Sequence, residues 1–393
     1  MIMATKNDIF REHCAQYLKA DKQEKGHILD HVCFVVSMHR KAASRKFTAL
    51  QMKDAGFPER RGRNLVYTPD VTAALKTVWE AGNEVCGELL HPITAEYVAI
   101  MQRDHMWKHT DEATTKLIQM SEATMKRRLR NFMKARRKRR GISTTKPSHI
   151  KHLVPVFIGP WANKPPGYGQ IDTVMHSNSA AGDAVFTVNY TDAATMMVIP
   201  HAQWNKGQEV TKESMRIIKE RMPISWLGAH PDTGSEFINR FVMQWCAEQH
   251  VDLSRSRPNH KNDNMYVEER NGHVIRKTVG YITLNCREAV DALNWLYDVL
   301  TPYLLHFVAV RRMTGKERIG ARYRRTYEKI AKTPYQRMLE HSAVAVVAKE
   351  RLHAEHMKLN PLVLKKEIEE RLRNVYDIQQ RYGNPHAEET ELR

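Results

Sequence analysis

Three acidic residues stand where a chain could use them on a phosphodiester: Asp172 in GQIDTV, Asp232 in HPDTGSEF and Glu268 in NDNMYVEERN. Asp172 follows a short extended run. Asp232 sits where Trp226 and Leu227 lead into a helix start, and Glu268, after a spacer of 35 residues, opens another helix. Carboxylates that converge repel one another unless a cation offsets them, and hard oxygen donors suit Mg²⁺ or Mn²⁺. Two such ions, roughly 3.5–4 Å apart, clamp the attacking and leaving oxygens of an in-line phosphoryl displacement. Each acid also has an ordinary reading. Asp172 could be a surface acid at a strand end, and Asp232 a helix N-terminal acid favoured by the dipole. Glu269 competes with Glu268, because neighbours on a helix point about 100° apart and only one faces a cleft. Ile275 and Val279, at helical spacing from Glu268, are expected to form its inward face, with Glu269 a solvated partner for a basic residue. Asp192 is read as a structural acid.

The elements that must position these acids are legible around them. GQIDTV predicts a first strand, AVFTVNYT alternates as a second, and TMMVIP is a third, with connections short enough for an antiparallel meander. A helix is predicted from about Gln208 to Met222, then a strand SWLGAH. Thr233 and Glu236 have the spacing of a capping box for the next helix, with Phe237, Phe241, Val242 and Trp245 as its buried stripe. VDLSRSRP predicts a fifth strand, and a last helix starts near Asn264. Three strands followed by helix–strand–helix–strand–helix predict an α/β core with helices packed on the sheet.

The flanks are basic and helical. Ile28, Leu29, Val32, Val35 and Val36 recur at helical spacing, and Arg40, Lys41, Arg45 and Lys46 follow on a short amphipathic segment, a pattern that suits a helix-turn-helix. Val71, Ala74, Leu75, Val78 and Trp79 mark a second helical unit. It ends in SEATMKRRLRNF, where Ser121 is a plausible N-cap and Lys126, Arg127, Arg128 and Arg130 make a second candidate recognition helix. From Lys126 to Lys151 there are twelve Lys or Arg and no acid, Arg136 and Arg137 among them. Such a run is a solvated linker that also adds salt-sensitive affinity for a polyanion.

The phrases GQIDTV, FTVNYTDAAT, GSEFIN, SRSRPNHKNDNMYVEERNGHVIRKTVGY and TPYQRML resemble the integrase-core (DDE) transposases of bacterial insertion sequences, and more distantly the catalytic domains of retroviral integrases. Thr233 stands where that family often carries Asn. The resemblance covers most of the chain. It implies an RNase H-like fold, DNA cleavage and joining with two Mg²⁺ or Mn²⁺ ions, and catalytic and metal-holding roles for Asp172, Asp232 and Glu268. It also implies a small β-rich DNA-binding domain near residues 311–345.

A net charge of +18 over 393 residues calls for a polyanionic partner, and no apolar run approaches the roughly 20 residues a bilayer requires. Double-stranded DNA is therefore the expected partner, with no membrane and no nucleotide cofactor. Five dispersed cysteines fit reduced thiols in a bacterial cytoplasm. Candidate DNA contacts beyond the two helices are Arg255, Arg257 and Lys261 in the loop before Glu268, Arg276 and Lys277 after it, and Arg322, Arg324 and Arg325 further on. The expected organisation is multidomain α/β. A helix-turn-helix-like domain spans 1–60, a second helical DNA-binding domain 61–135, a basic linker 136–167, and the core 168–283. A linker helix then spans 284–310, a basic C-terminal domain 311–345 and a helical tail 346–393. Holding two element ends calls for a dimer or tetramer. The leading function is a DNA transposase or integrase; an inactive DNA-binding regulator and a metal-dependent nuclease that does not join strands stay open.

Overall fold

The computed structural model describes residues 3–51, 66–133, 150–157, 161–177, 183–257, 264–319 and 322–384. It falls into two compact units, residues 1–66 and 67–393. Arg136, Arg137 and Lys261 lie outside the described residues, as does most of the linker expected at 136–167.

The first unit is three helices, α1 (Met3–Lys19), α2 (Lys22–Val36) and α3 (Arg40–Gln51). Asp21 and Glu24 close a capping box at the start of α2, and Ser37, in the left-handed region at φ 52°, ends it. Phe10, Leu29, Val32, Val36, Ala43 and Phe47 fill the core. With Ala43 and Phe47 turned inward, Lys41, Arg45, Thr48 and Ala49 form an exposed stripe on α3.

In the second unit, β1 (Tyr168–Met175), β2 (Val185–Asp192) and β3 (Val198–Trp204) pair antiparallel, whereas β4 (Gly228–His230) and β5 (Asp252–Leu253) run parallel beyond β1. The sheet order is β3-β2-β1-β4-β5. That mixed five-stranded order, with α9 (Gln208–Arg221) and α10 (Arg240–Glu248) between the later strands, is consistent with an RNase H-like core and follows the succession expected from sequence. Ile171, Val188, Tyr190 and Ala229 pack one face against Met215, Ile218, Val242 and Trp245 of α9 and α10.

Two local expectations are corrected. The capping box at Thr233 and Glu236 does not start a helix. Residues 235–237 form a turn, and α10 begins after Asn239, whose side chain accepts from the Val242 N–H at 3.0 Å. Phe241 consequently faces solvent, 44 % exposed. Further on, α13 (Glu288–Phe307) runs through Pro302 as one helix.

The helices α4 (Pro69–Ala81), α5 (Gly87–Leu90), α6 (Thr94–Arg103), α7 (Asp111–Ile118) and α8 (Glu122–Met133) share one apolar core with α13. Tyr97 and Tyr303, both buried, tie the groups together by donating to the Phe307 and Ala81 carbonyls at 2.7 and 2.6 Å. Beyond α13 come the hairpin β6 (Met313–Ile319) and β7 (Arg322–Tyr327), then α14 (Pro334–Glu340), α15 (Val346–His356) and α16 (Pro361–Tyr382). Leu364, Ile368 and Val375 of α16 join the α13 core, each such side chain worth roughly 1.5–3 kcal/mol on burial. The tail is thus an internal brace. No helix among the described residues is long and apolar enough to cross a membrane.

Candidate active site

Asp172 lies mid-strand on β1, opposite Asn189 of β2. The chain after Glu268 decides what reaches it. The helix α11 (Met265–Arg270) passes into a π turn, Asn271–Ile275, before α12 (Arg276–Val279). That wider turn slips the helical phase by roughly a quarter turn. Ile275 and Val279 are buried as expected, but Glu268 no longer shares their face and is exposed. Asn271 turns inward instead. Its Nδ2 donates to Asp172 Oδ2 at 2.8 Å, and its Oδ1 accepts from Asn189 Nδ2 at 2.7 Å. The other Asp172 oxygen accepts from the Thr173 N–H at 2.8 Å. One buried amide therefore fixes the carboxylate plane, an orientation that sequence gave no sign of.

Asp232 lies two residues beyond the end of β4, and its Oδ1 accepts from the Gly234 N–H at 2.7 Å. Glu236, only 3 % exposed, folds back to the same place. A Cβ on Gly234 would meet Glu236 Oε2 at 2.6 Å and Asp232 Oδ1 at 2.8 Å, so both carboxylates crowd this glycine. Glu236 also accepts from Thr173 Oγ1 at 3.2 Å and pairs with Lys206 at 3.1 Å. Glu236 and Lys206 were not among the expected site residues. Glu236 had an innocent explanation in its capping-box spacing, and nothing near Lys206 distinguished it.

The electrostatics follow. Burial first, then the Asp232 charge, push the Asp172 carboxyl up to about 8; Glu236 adds to the rise, while the Thr173 N–H and Lys206 oppose it. At neutral pH this carboxyl holds a proton that a cation could replace. The donors are all oxygen, and their negative charge exceeds what Lys206 offsets, so the residues fit Mg²⁺ or Mn²⁺. Among the described residues, no three His, Cys, Asp or Glu side chains converge as a ready ligand set. Asp192 is elsewhere and structural. Buried, it accepts from the Gly167, Ala194 and Thr195 N–H groups, and burial raises its carboxyl.

Gln170 positions α11. Its Oε1 accepts from the Tyr266 and Val267 N–H groups at 2.9 and 3.1 Å, satisfying two donors at that helix start. Gln170→Ala should lower the unfolding free energy by about 1–2 kcal/mol, read by urea titration; an unchanged midpoint would contradict this role.

The candidate DNA contacts divide. Lys41, Arg45, Arg127, Arg130, Lys277, Arg324 and Arg325 are exposed. Arg40 pairs with Asp30, Lys46 covers the Phe10 ring, and Lys126 pairs with Glu88. Arg128 donates to Thr72 Oγ1 and the Tyr67 carbonyl, bracing α8. Arg255 is buried, donating to the Val154 and Ser256 carbonyls. Arg257 is half-buried, Arg276 lies over the Tyr281 ring, and Lys277 donates to the Asn83 carbonyl. Arg322 lies on β7.

No family model matches the sequence. The uncharacterized protein y4rM of Sinorhizobium fredii (strain NBRC 101917 / NGR234) is 33% identical over 338 residues, which is 83% of this chain and 93% of that protein. The chain belongs to the y4rM family. Among solved structures, the catalytic core domain of BIV integrase is similar at 13% identity over 48% of this chain and 98% of that one, with a TM-score of 0.29. The HTLV-2 integrase catalytic core domain in complex with magnesium, in its dimeric form, is similar at 14% identity over 37% and 90%, with a TM-score of 0.28.

Proposed function

We propose that this member of the y4rM family is a DNA transposase or integrase, cleaving DNA at the ends of a mobile element and joining the freed ends to target DNA. The observation that carries the reading is Asp172: a carboxyl raised to about 8 by burial and by Asp232, on the central strand of an RNase H-like sheet. Asp172, Asp232 and Glu268 would hold two Mg²⁺ or Mn²⁺ ions. When bound, these supply Lewis-acid polarisation of the phosphodiester and activation of the attacking oxygen. The chain's own residues do the rest. Asn271 and the Thr173 N–H keep the Asp172 carboxylate in one plane, and Lys206 with Glu236 sets the charge behind it.

In the first step a water oxygen displaces a 3′ oxygen at phosphorus. In the second, that 3′ hydroxyl attacks a phosphodiester of the target and loses its proton, the target's own 3′ oxygen leaves as a new 3′ hydroxyl, and this exchange of one P–O bond for another needs no nucleotide cofactor. The exposed stripe of α3, with a helix and a three-residue turn before it, fits a major-groove reader. Arg127 and Arg130 on α8, Arg257, Lys261, Arg276 and Lys277 before and after Glu268 in the chain, and Arg322, Arg324 and Arg325 beyond them serve as phosphate contacts. Two ends held together call for a dimer or tetramer, working in the cytoplasm.

The test is cleavage of DNA carrying the sequences that flank the coding region, with Mg²⁺ or Mn²⁺, scored for 3′-hydroxyl ends and for joined products. Cleavage without joining would leave a nuclease. DNA binding with neither, in both metals, would leave a regulator. Reversing both Lys41 and Arg45 to Glu should weaken duplex binding on the order of 10-fold or more at moderate salt and flatten its salt dependence. An unchanged salt slope would remove α3 from the interface.

A further inference from the structure

On the face of the sheet that carries Asp172, a cavity of about 290 Å³ lies over β1, β4 and β5. Tyr168 and Asp172 point to the same face of β1, and the register sets Tyr168 beside Gly228 and Gln170 beside His230. The cavity's lining includes His230, which stands two residues before Asp232 in the chain. Its walls are aromatic. Trp161 meets Phe157 and His230 edge-on, with centroids 4.9 and 5.0 Å apart, and touches Tyr266 of α11 at 6.5 Å, so the helix that carries Glu268 borders the same cluster. Gly228 makes room for the Tyr168 ring, which a Cβ there would meet at 2.3 Å.

The polar groups sit at the edges. Tyr168 donates to Asp252 at 2.8 Å, and Ser254 Oγ lies 2.9 Å from His230 Nδ1. The Lys164 ammonium is held 4.8 and 4.3 Å from the Phe157 and Tyr168 ring centroids, a cation where an attached phosphate would need one. We propose that this cavity takes a single unstacked nucleobase of the DNA being processed, stacked against Trp161 with its polar edge towards Ser254 and Asp252 and its phosphate near Lys164. The space admits one flat ring system and no duplex, and sequence-tolerant aromatic stacking is how proteins hold such bases. This inference rests on the DNA-processing reading above and names a contact that reading does not contain.

The test uses the full chain in Ca²⁺ and two duplexes that differ only in a one-nucleotide overhang, 2-aminopurine or abasic. The wild type should bind the base-bearing duplex about tenfold more tightly and quench the 2-aminopurine emission. Trp161→Ala should remove both effects while binding the abasic duplex unchanged, and Trp161→Phe should keep most of them. Should Trp161→Ala not fold, Ser254→Leu, which fills the cavity and leaves the rings in place, should give the same loss. Equal affinity for the two duplexes with no emission change in the wild type would overturn the proposal. Mn²⁺-dependent nicking of plain plasmid by the same preparation reports separately on the enzyme reading.

Discussion

Asp172→Asn should lose DNA cleavage and joining by on the order of 10³-fold, yet unfold at a higher temperature than the wild type in metal-free buffer. Loss of activity alone would be ordinary for any damaged enzyme. The opposite sign of the two effects is what the site predicts. The Asp172 carboxyl stands at about 8 when folded, against an ordinary value near 3.8, so between those pH values the folded chain holds a proton that the unfolded chain has released. Stability therefore falls as pH rises through that window. An amide does not titrate, escapes the repulsion from Asp232, and still offers an oxygen to Asn271. The advantage of the variant should grow by about 4 kcal/mol between pH 5 and pH 8, or roughly 5 °C. It should then level off. A variant less stable than the wild type at pH 8 would mean that the carboxylate is compensated and that the charge crowding is absent.

The second large effect separates two glutamates. Glu268→Gln should cost on the order of 10²–10³-fold in cleavage with little change in stability, because Glu268 is exposed on α11 and, in the proposed function, would hold the metal ions. Glu236→Gln should do the reverse. It is buried between Thr173 and Lys206, so neutralising it leaves the Lys206 ammonium without its charge partner, and unfolding should become easier by about 1–3 kcal/mol. Activity should fall only modestly, about tenfold, through a shifted Asp232. Single-turnover cleavage beside urea unfolding of both variants decides between them. If Glu236→Gln abolished cleavage and Glu268→Gln did not, the third acid of the site would be Glu236.

How much of this was readable without coordinates follows from what kind of contact fixes each feature. The strands were legible because alternation is local: Phe186, Val188 and Tyr190 declare their face within five residues, and short connections force the meander. Asp172 was legible because a charged side chain between Ile171 and Val174 is out of place in a buried strand. What stayed hidden depends on partners far along the chain. The π turn at Asn271–Ile275 inserts no unusual residue, so helical spacing counted from Glu268 gave the wrong face. Glu236 and Thr233 satisfied a local rule that Asn239, six residues after Thr233, satisfied better. Arg128 and Arg255 read as phosphate contacts by type, and only tertiary neighbours turned their guanidinium groups onto carbonyls. The shared core of α4–α8 with α13 rests on Tyr97 and Tyr303 reaching more than 200 residues ahead or back.

The central claim is that the carboxylates around Asp172 form a site for divalent cations, and Mn²⁺ titration followed by electron paramagnetic resonance measures it without any need for the right DNA. The wild type should take up Mn²⁺ with an affinity that tightens by about tenfold per pH unit from pH 6 to pH 8, as the ion displaces the Asp172 proton, and Asp172→Asn should lose that uptake. Mn²⁺ binding that is independent of pH and identical in the two proteins would contradict the account.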